Sequence, residues 1–315
     1  MPSPNSKKIL IVSRLNPEPN CGSSIHTEDM VCYLKGEGHR VHYLYLGPQG
    51  NYDWARTSVD ALYFQQGHGK GASEFDGRVE DWEKAYVAET CAKILPDVVM
   101  ADYSWMGEIF DDPYFGNNPA LRKMIFVHDL RVRILPCYVM MGIVKPELNR
   151  WTDEAEGAVL SKADALITLN REDQVKAAAI SCNATTLRAG ISAPRVDAVA
   201  TARVPARCIY VASNLQENVI ALKWLLRFVW ARVIAAHPEA SLDVCGTIGE
   251  NPSLHAKAGG FDAGELSRMN VRILGRVQDL GGHYASSEIA LVPHFMKGGI
   301  KIKHMEAITH GLPVV

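Results

Sequence analysis

The stretch GGIKIKHMEAITHGLPVV, Gly298 to Val315, decides how the whole chain is read. Just upstream, Ile289 to Val292 is an apolar run of strand character. The glycine pair Gly298–Gly299 separates that run from a short helix carrying Lys301, Lys303 and Glu306, which is broken at Gly311 and Pro313. Strand, glycine turn and helix N-terminus together make an anion site, because unpaired backbone N–H groups and the helix dipole point beyond the strand end. The expected ligand is phosphorylated. Ile302, Met305 and Ile308 fall at helical spacing and are expected to face the core, with Lys303, Glu306 and His310 on the opposite side. A cation suits a diphosphate, and a carboxylate on a rigid helix can accept from vicinal hydroxyls such as those of a ribose. An ordinary amphipathic helix with an i, i+3 ion pair is the alternative reading of the same spacing.

Working back from that stretch, the chain alternates strand and helix in two blocks. In the first, Lys7 to Ser13, Val41 to Leu46, Val98 to Asp102, Met124 to His128 and Ala165 to Leu169 read as buried parallel strands. A helix from about Ile25 to Lys35, capped by Ser23 or Ser24, completes the first βαβ unit and turns the loop around Gly22 toward the ligand side. The polar segment from Gly47 to about Gly77 reads as a surface loop. Its G-H-G-K-G (Gly67 to Gly71) fits neither the dinucleotide fingerprint nor the P-loop. His128 ends its strand beside Asp129, where α/β domains keep reactive groups, although a histidine hydrogen-bonding a loop explains the same placement. Ile134 to Val144 is too short to cross a bilayer and reads as core or loop packing, or as a lip for an acceptor or a membrane surface. A stretch rich in Ala, Pro and Val after Ile191 suits a linker, placing the domains at 1–196 and 197–315. The second block repeats the rhythm with strands at Cys208 to Ala212, Leu242 to Cys245, Val271 to Leu274 and Ile289 to Val292. Asn214 and Glu217 form a capping-box-like opening, and the helix after it sets Leu222, Leu225, Leu226, Val229, Trp230, Val233 and Ile234 on one face.

These residues resemble the donor-site signature of retaining, nucleotide-sugar-dependent glycosyltransferases of the GT-B fold, of the family 4 type. The resemblance extends through G-H-R-V at Gly38 to Val41, A-D-A-L-I-T-L-N-R-E-D at Ala163 to Asp173, Y-V-A-S-N at Tyr210 to Asn214, D-V-C-G and I-L-G-R-V. It implies two Rossmann-like, doubly wound domains facing across a cleft. By the same resemblance Glu306 binds the nucleotide ribose and His128 lines the reaction centre near the transferred sugar. The loop at Gly22 lies near donor and acceptor, and Gly298 and Gly299 approach the donor diphosphate. Two departures stand out. Gly298 occupies the place of a glutamate found in many members, and Ser213, Asn214 and Asn218 stand where many have an arginine and a lysine. Lys301 and Lys303 then have to supply more of the charge that serves the diphosphate, Asn214 remains a donor contact, and leaving-group charge is expected to be stabilised by the backbone N–H groups of Gly298 and Gly299 and by Lys301 or Lys303. Family members continue beyond the apolar pair Val314–Val315, so the second domain is expected to be incomplete.

Composition narrows the classes. The chain has 315 residues, 47% of them hydrophobic, and a formal net charge of −2, which gives no electrostatic case for nucleic acid. Seven scattered cysteines without a C-x-x-C pair read as free thiols. The N-terminal sequence has no signal-peptide pattern, so a cytoplasmic setting is expected, with peripheral membrane contact kept open at Ile134 to Val144. No D-x-D with supporting ligands occurs, so the expectation is metal-independent transfer without a cofactor, from a nucleoside-diphosphate sugar to a carbohydrate, lipid or protein acceptor. A sugar-nucleotide epimerase of the same fold and a non-catalytic sugar-nucleotide binder are the alternatives. A dinucleotide-dependent oxidoreductase is disfavoured because G-x-G-x-x-G is absent.

Overall fold

A computed structural model describes residues 5–16, 22–65, 78–182, 184–190, 202–255 and 259–315. The G-H-G-K-G stretch and most of the expected linker lie outside these residues. The chain forms two compact units: Met1–Pro136, Val144–Ser192 and Lys297–Ile300 make the first, and Cys137–Ile143, Ala193–Met296 and Lys301–Val315 the second. Two short stretches, Cys137–Ile143 and Lys297–Ile300, group with the unit other than that of their neighbours in sequence.

The first unit is built on seven parallel strands: β1 (Lys8–Ser13), β2 (Arg40–Tyr45), β3 (Ala61–Phe64), β4 (Val98–Asp102), β5 (Arg122–Val127), β6 (Ala165–Thr168) and β7 (Thr185–Arg188). Their order is β3-β2-β1-β4-β5-β6-β7. Ile9 lies opposite both Val41 and Val98, so β1 is central and its residues from Ile9 to Ser13 are buried, as a sheet covered on both faces demands. The surface loop expected over Gly47 to Gly77 needs correction: it contains a helix, Asp53–Ser58, and β3. Strand β3 has four half-exposed residues at the sheet edge and owes its place to backbone pairing with β2, aided by the Asp60 carboxylate accepting the Val41 N–H at 2.7 Å. The first helix begins at Gly22, so Ser23 and Ser24 lie inside its first turn and are not its cap.

The second unit has β8 (Arg207–Val211), β9 (Ser241–Cys245), β10 (Val271–Gly275) and β11 (Ile289–Ala290), all parallel, in the order β10-β9-β8-β11. Val314 bridges Ala290 in parallel, so the final apolar pair does start a further strand position. The long helix runs Gln216–Trp224, widens into a π-helical segment over Leu225–Trp230 and ends as Ala231–Ala236. Leu222, Leu225, Leu226 and Trp230 are buried, and Val229, Val233 and Ile234 pack against the same core. The expected cap does not form. Leu215 precedes the helix without a side-chain cap, while the Asn214 N–H donates to Thr247 Oγ1 at 2.8 Å and its Oδ1 accepts from Asn251 at 2.5 Å.

The helix of the opening motif is Ile302–Thr309, and its expected orientation also needs correction. Ile308 is 56% exposed and Ala307 is the residue that reaches the core, because the side carrying Lys303 and Glu306 packs inward instead. The run at Ile134 to Val144 divides between both readings: Ile134, Cys137, Tyr138 and Ile143 are buried, whereas Val139, Met140 and Val144 are exposed. Among the described residues, no helix is long and apolar enough to cross a membrane.

Candidate functional site

In doubly wound sheets a ligand crevice opens beyond the carboxyl ends of the strands, where the strand order reverses. In the first unit that point lies between β1 and β4, and in the second between β8 and β11.

Around the first switch point the sequence places Ser13 at the end of β1, Asp102 and Tyr103 at the end of β4, and His128 just past β5. His128 is 3% exposed, with Nε2 at 2.7 Å from Asp102 Oδ1. Ser13 Oγ donates to the other Asp102 oxygen at 2.6 Å. The Tyr103 ring lies 4.4 Å from the imidazole, and the Arg131 guanidinium sits 5.4 Å above Tyr103 while pairing with Asp129 at 3.0 Å.

Gly298 and Gly299 belong to this unit, and their role differs from the one expected. With φ of +100° and +59° they form a turn open to glycine, and a Cβ on Gly299 would lie 2.8 Å from the His128 carbonyl oxygen. The Gly299 N–H, expected to face a phosphate, donates to Asp173 Oδ2 at 2.8 Å, and the Gly299 carbonyl accepts from Asn170 Nδ2 at 2.9 Å. Asp173 also pairs with Arg133. The N-R-E-D opening of the helix Arg171–Ile180 thus clasps one peptide of the glycine turn through both of its polar groups.

At the second switch point, Lys303 Nζ donates to Asn218 Oδ1 at 3.0 Å and lies 5.5 Å from the centre of the Tyr210 ring. Burial, with Lys301 nearby and Glu217 only partly compensating, lowers its pKa to about 8. Glu306 accepts from the Tyr284 hydroxyl at 3.2 Å, and burial pushes its carboxyl upward. The His310 ring stacks on Tyr284 at 4.8 Å. The i, i+3 ion pair of an ordinary amphipathic helix is replaced, since Lys303 and Glu306 each hydrogen-bond elsewhere. His294 is held near 3, chiefly by burial and then by Lys301, Lys303 and His304. Burial is the larger cause in both cases, and the neighbouring cations add to it.

Residues 206–315 match the family of glycosyl transferases group 1. Sucrose-phosphate synthase of Thermosynechococcus elongatus is 15% identical with a TM-score of 0.65, the likeness covering 98% of this chain and 80% of that one. Anabaena HepE, in complex with UDP and glucose, is 13% identical with a TM-score of 0.62, covering 98% and 80%. TarM is 10% identical with a TM-score of 0.67, covering 98% and 84%. These likenesses give the fold, GT-B. Compared by sequence with curated proteins, the chain finds no match.

The structure sorts the sequence-predicted residues between the two units. Lys303, Glu306 and Asn218 converge in the second unit, and Lys301 bears on the same cluster electrostatically. Asn214 stands exposed at the end of β8, bound to Asn251. His128, Gly298 and Gly299 are gathered in the first unit, where Gly22 is the exposed first residue of its helix. Sequence reasoning missed Asp102, Tyr103, Asp173 and Tyr284. Asp102 carried a usable signal, a carboxylate ending the apolar strand V-V-M-A-D. Tyr284 carried none, because its bond to Glu306 depends on how two helices pack.

Proposed function

We propose that this chain is a glycosyltransferase that moves a sugar from a nucleoside-diphosphate sugar to a carbohydrate, lipid or protein acceptor, with retention at the anomeric carbon and without a metal. The observation that carries the reading is the pairing of a desolvated lysine, Lys303, with a half-buried carboxylate, Glu306, on one helix at the β8/β11 switch point of a group 1 domain. Lys303, with Lys301, neutralises the donor diphosphate and the charge that builds on the leaving group. Glu306 accepts from the ribose hydroxyls, and the Tyr284 bond holds its carboxylate for that task. Asn214 lies at the rim of the same strand end. His128 attends the transferred sugar, and Gly22 borders the approach to it. Support from neighbours is limited to what they hold: HepE is described with UDP and glucose, and a TarM mutant of S. aureus with UDP and a GlcNAc-glycerol. The setting proposed is cytoplasmic, with the exposed Val139, Met140 and Val144 available to a membrane surface.

Calorimetry of the full chain against a panel of nucleoside-diphosphate sugars tests the reading. Glu306→Ala is expected to weaken binding of the best donor about tenfold or more, and unchanged affinity would overturn the assigned role. A second reading, a sugar-nucleotide binder without transferase activity, is favoured by Gly298 in place of a glutamate and by the engagement of the Gly299 N–H with Asp173. Donor binding with no transfer across an acceptor panel would select it, and turnover of donor without acceptor would select an epimerase.

A further inference from the structure

A parallel sheet asks for cover on both faces, and the seven-stranded sheet of the first unit receives it unevenly. Side chains alternate along a strand, so Met100 of β4, Phe126 of β5 and Ile167 of β6 share one face with Ile9 of β1, and all four belong to one buried cluster. On the opposite face Gly107 lies against Ile125 of β5 and against Val159, so the segments Ser104–Asp111 and Asp153–Leu160 cover that side. Over β4 to β6 on the first face the arrangement differs. There the structure leaves a groove of about 680 Å³, and every helical residue lining it comes from the one helix Gly22–Gly36, which forms its wall. Val98 and Met124 of the central strands stay half-buried, and Leu187 on β7 is 49% exposed.

The floor of the groove is apolar and adaptable. Met30, Met100 and Met124 all line it, three of the ten methionines in the chain, and unbranched thioether side chains repack around ligands of varied shape. A sugar would strand its hydroxyls on such a floor, whereas a hydrocarbon chain gains burial there. The groove runs the length of the strands, from Lys7 before β1 to Leu169 and Ala189 just beyond β6 and β7. At the carboxyl ends it reaches the crevice between β1 and β4: His26 lines it with its ring 5.9 Å from that of His128, and Phe126 of the floor lies 4.5 Å from the same imidazole. Charge favours one sign of ligand. Lys7 and Arg188 outnumber Asp29 among the lining residues charged at neutral pH, and Arg188 closes β7 at its carboxyl end.

We propose that this groove holds the hydrocarbon chain of a lipid acceptor with an anionic head group, the chain lying along β4 to β6 and the head at the carboxyl ends of the strands. The proposal rests on the transferase reading and narrows its acceptor from carbohydrate, lipid or protein to lipid. Affinity then comes from the length of chain buried against the sheet, and the direction of binding from Arg188 at one mouth.

The test uses the full chain without donor, titrated by calorimetry with hexyl, octyl and decyl phosphate, each kept below its micellar concentration, and with decanol. Affinity is expected to rise about fourfold per added methylene, and decanol is expected to bind more weakly than decyl phosphate. No binding of decyl phosphate, an affinity that ignores chain length, or decanol bound as tightly as decyl phosphate overturns the proposal. Leu187→Gln, at a half-exposed position, is expected to weaken decyl phosphate about tenfold, and unchanged affinity overturns the placement of the chain. Should that variant not fold, the wild type still decides: with methyl-labelled methionine, decyl phosphate is expected to shift the signals of Met30, Met100 and Met124, and shifts confined to other methionines overturn the proposal. Because none of these measurements involves a sugar nucleotide or Glu306, a failure here is distinguishable from a failure of the donor-binding reading.

Discussion

Replacing Lys303 by methionine should push stability and ligand affinity in opposite directions. The fall of its pKa from 10.5 to about 8 means that the folded protein carries the ammonium at a penalty of roughly 3 kcal/mol relative to the unfolded chain. Methionine removes that penalty and forfeits the hydrogen bond to Asn218, worth about 1–2 kcal/mol. Lys303→Met is therefore expected to be more resistant to denaturant near neutral pH, by about 1–2 kcal/mol. The sign of the pH dependence comes from proton counting. Between pH 8 and 10.5 the unfolded state binds more protons at this site than the folded state, so wild-type stability should rise across that window and the Lys303→Met curve should lack the rise. Affinity for UDP, used as the probe, should fall about ten- to a hundredfold in the variant, the value of a charge-assisted contact of roughly 1.5–3 kcal/mol. Wild-type UDP affinity should also decline above pH 8, as the free ammonium loses its proton. Urea unfolding over a pH series and calorimetry with UDP measure both arms. The reasoning is refuted if Lys303→Met proves less stable by 2 kcal/mol or so and binds UDP as tightly as the wild type.

Gly299→Ala should lose about 2 kcal/mol or more in chemical unfolding, because φ of +59° is strained for alanine and the new Cβ meets the His128 carbonyl at 2.8 Å. Wild-type stability in that variant would mean the glycine turn is not held against His128. Glu83→Ala should cost about 3–5 kcal/mol, since Glu83 is fully buried and takes both Nε and Nη2 of the equally buried Arg14. A loss under 1 kcal/mol in denaturant melts would show that the pair is not the buried ion pair it looks like.

The sequence by itself determined the architecture, and it did so through local patterning. Continuous apolar runs such as Ile9 to Val12 and Val98 to Ala101 are legible because a parallel strand buried on both faces has no polar side to disguise it. The glycine and lysine spacing at Gly298 to Glu306 likewise marked a glycine turn followed by a helix, and His128 was legible from its place at a strand's carboxyl end. What only the tertiary structure decided is which partners those groups take. The eight-residue helix Ile302–Thr309 presents apolar residues on one side and polar ones on the other, and periodicity assigns the apolar side inward. Packing reverses this: Asn218 and Tyr284 offer hydrogen bonds that pull Lys303 and Glu306 in and leave Ile308 to solvent. The Gly299 peptide, free in any one-dimensional reading, is claimed by Asn170 and Asp173 more than a hundred residues away. Hydrogen-bond partners distant in sequence leave no periodic trace, so the chain spells out its strands and its reactive residue types, while the wiring among them exists only once the strands are laid side by side.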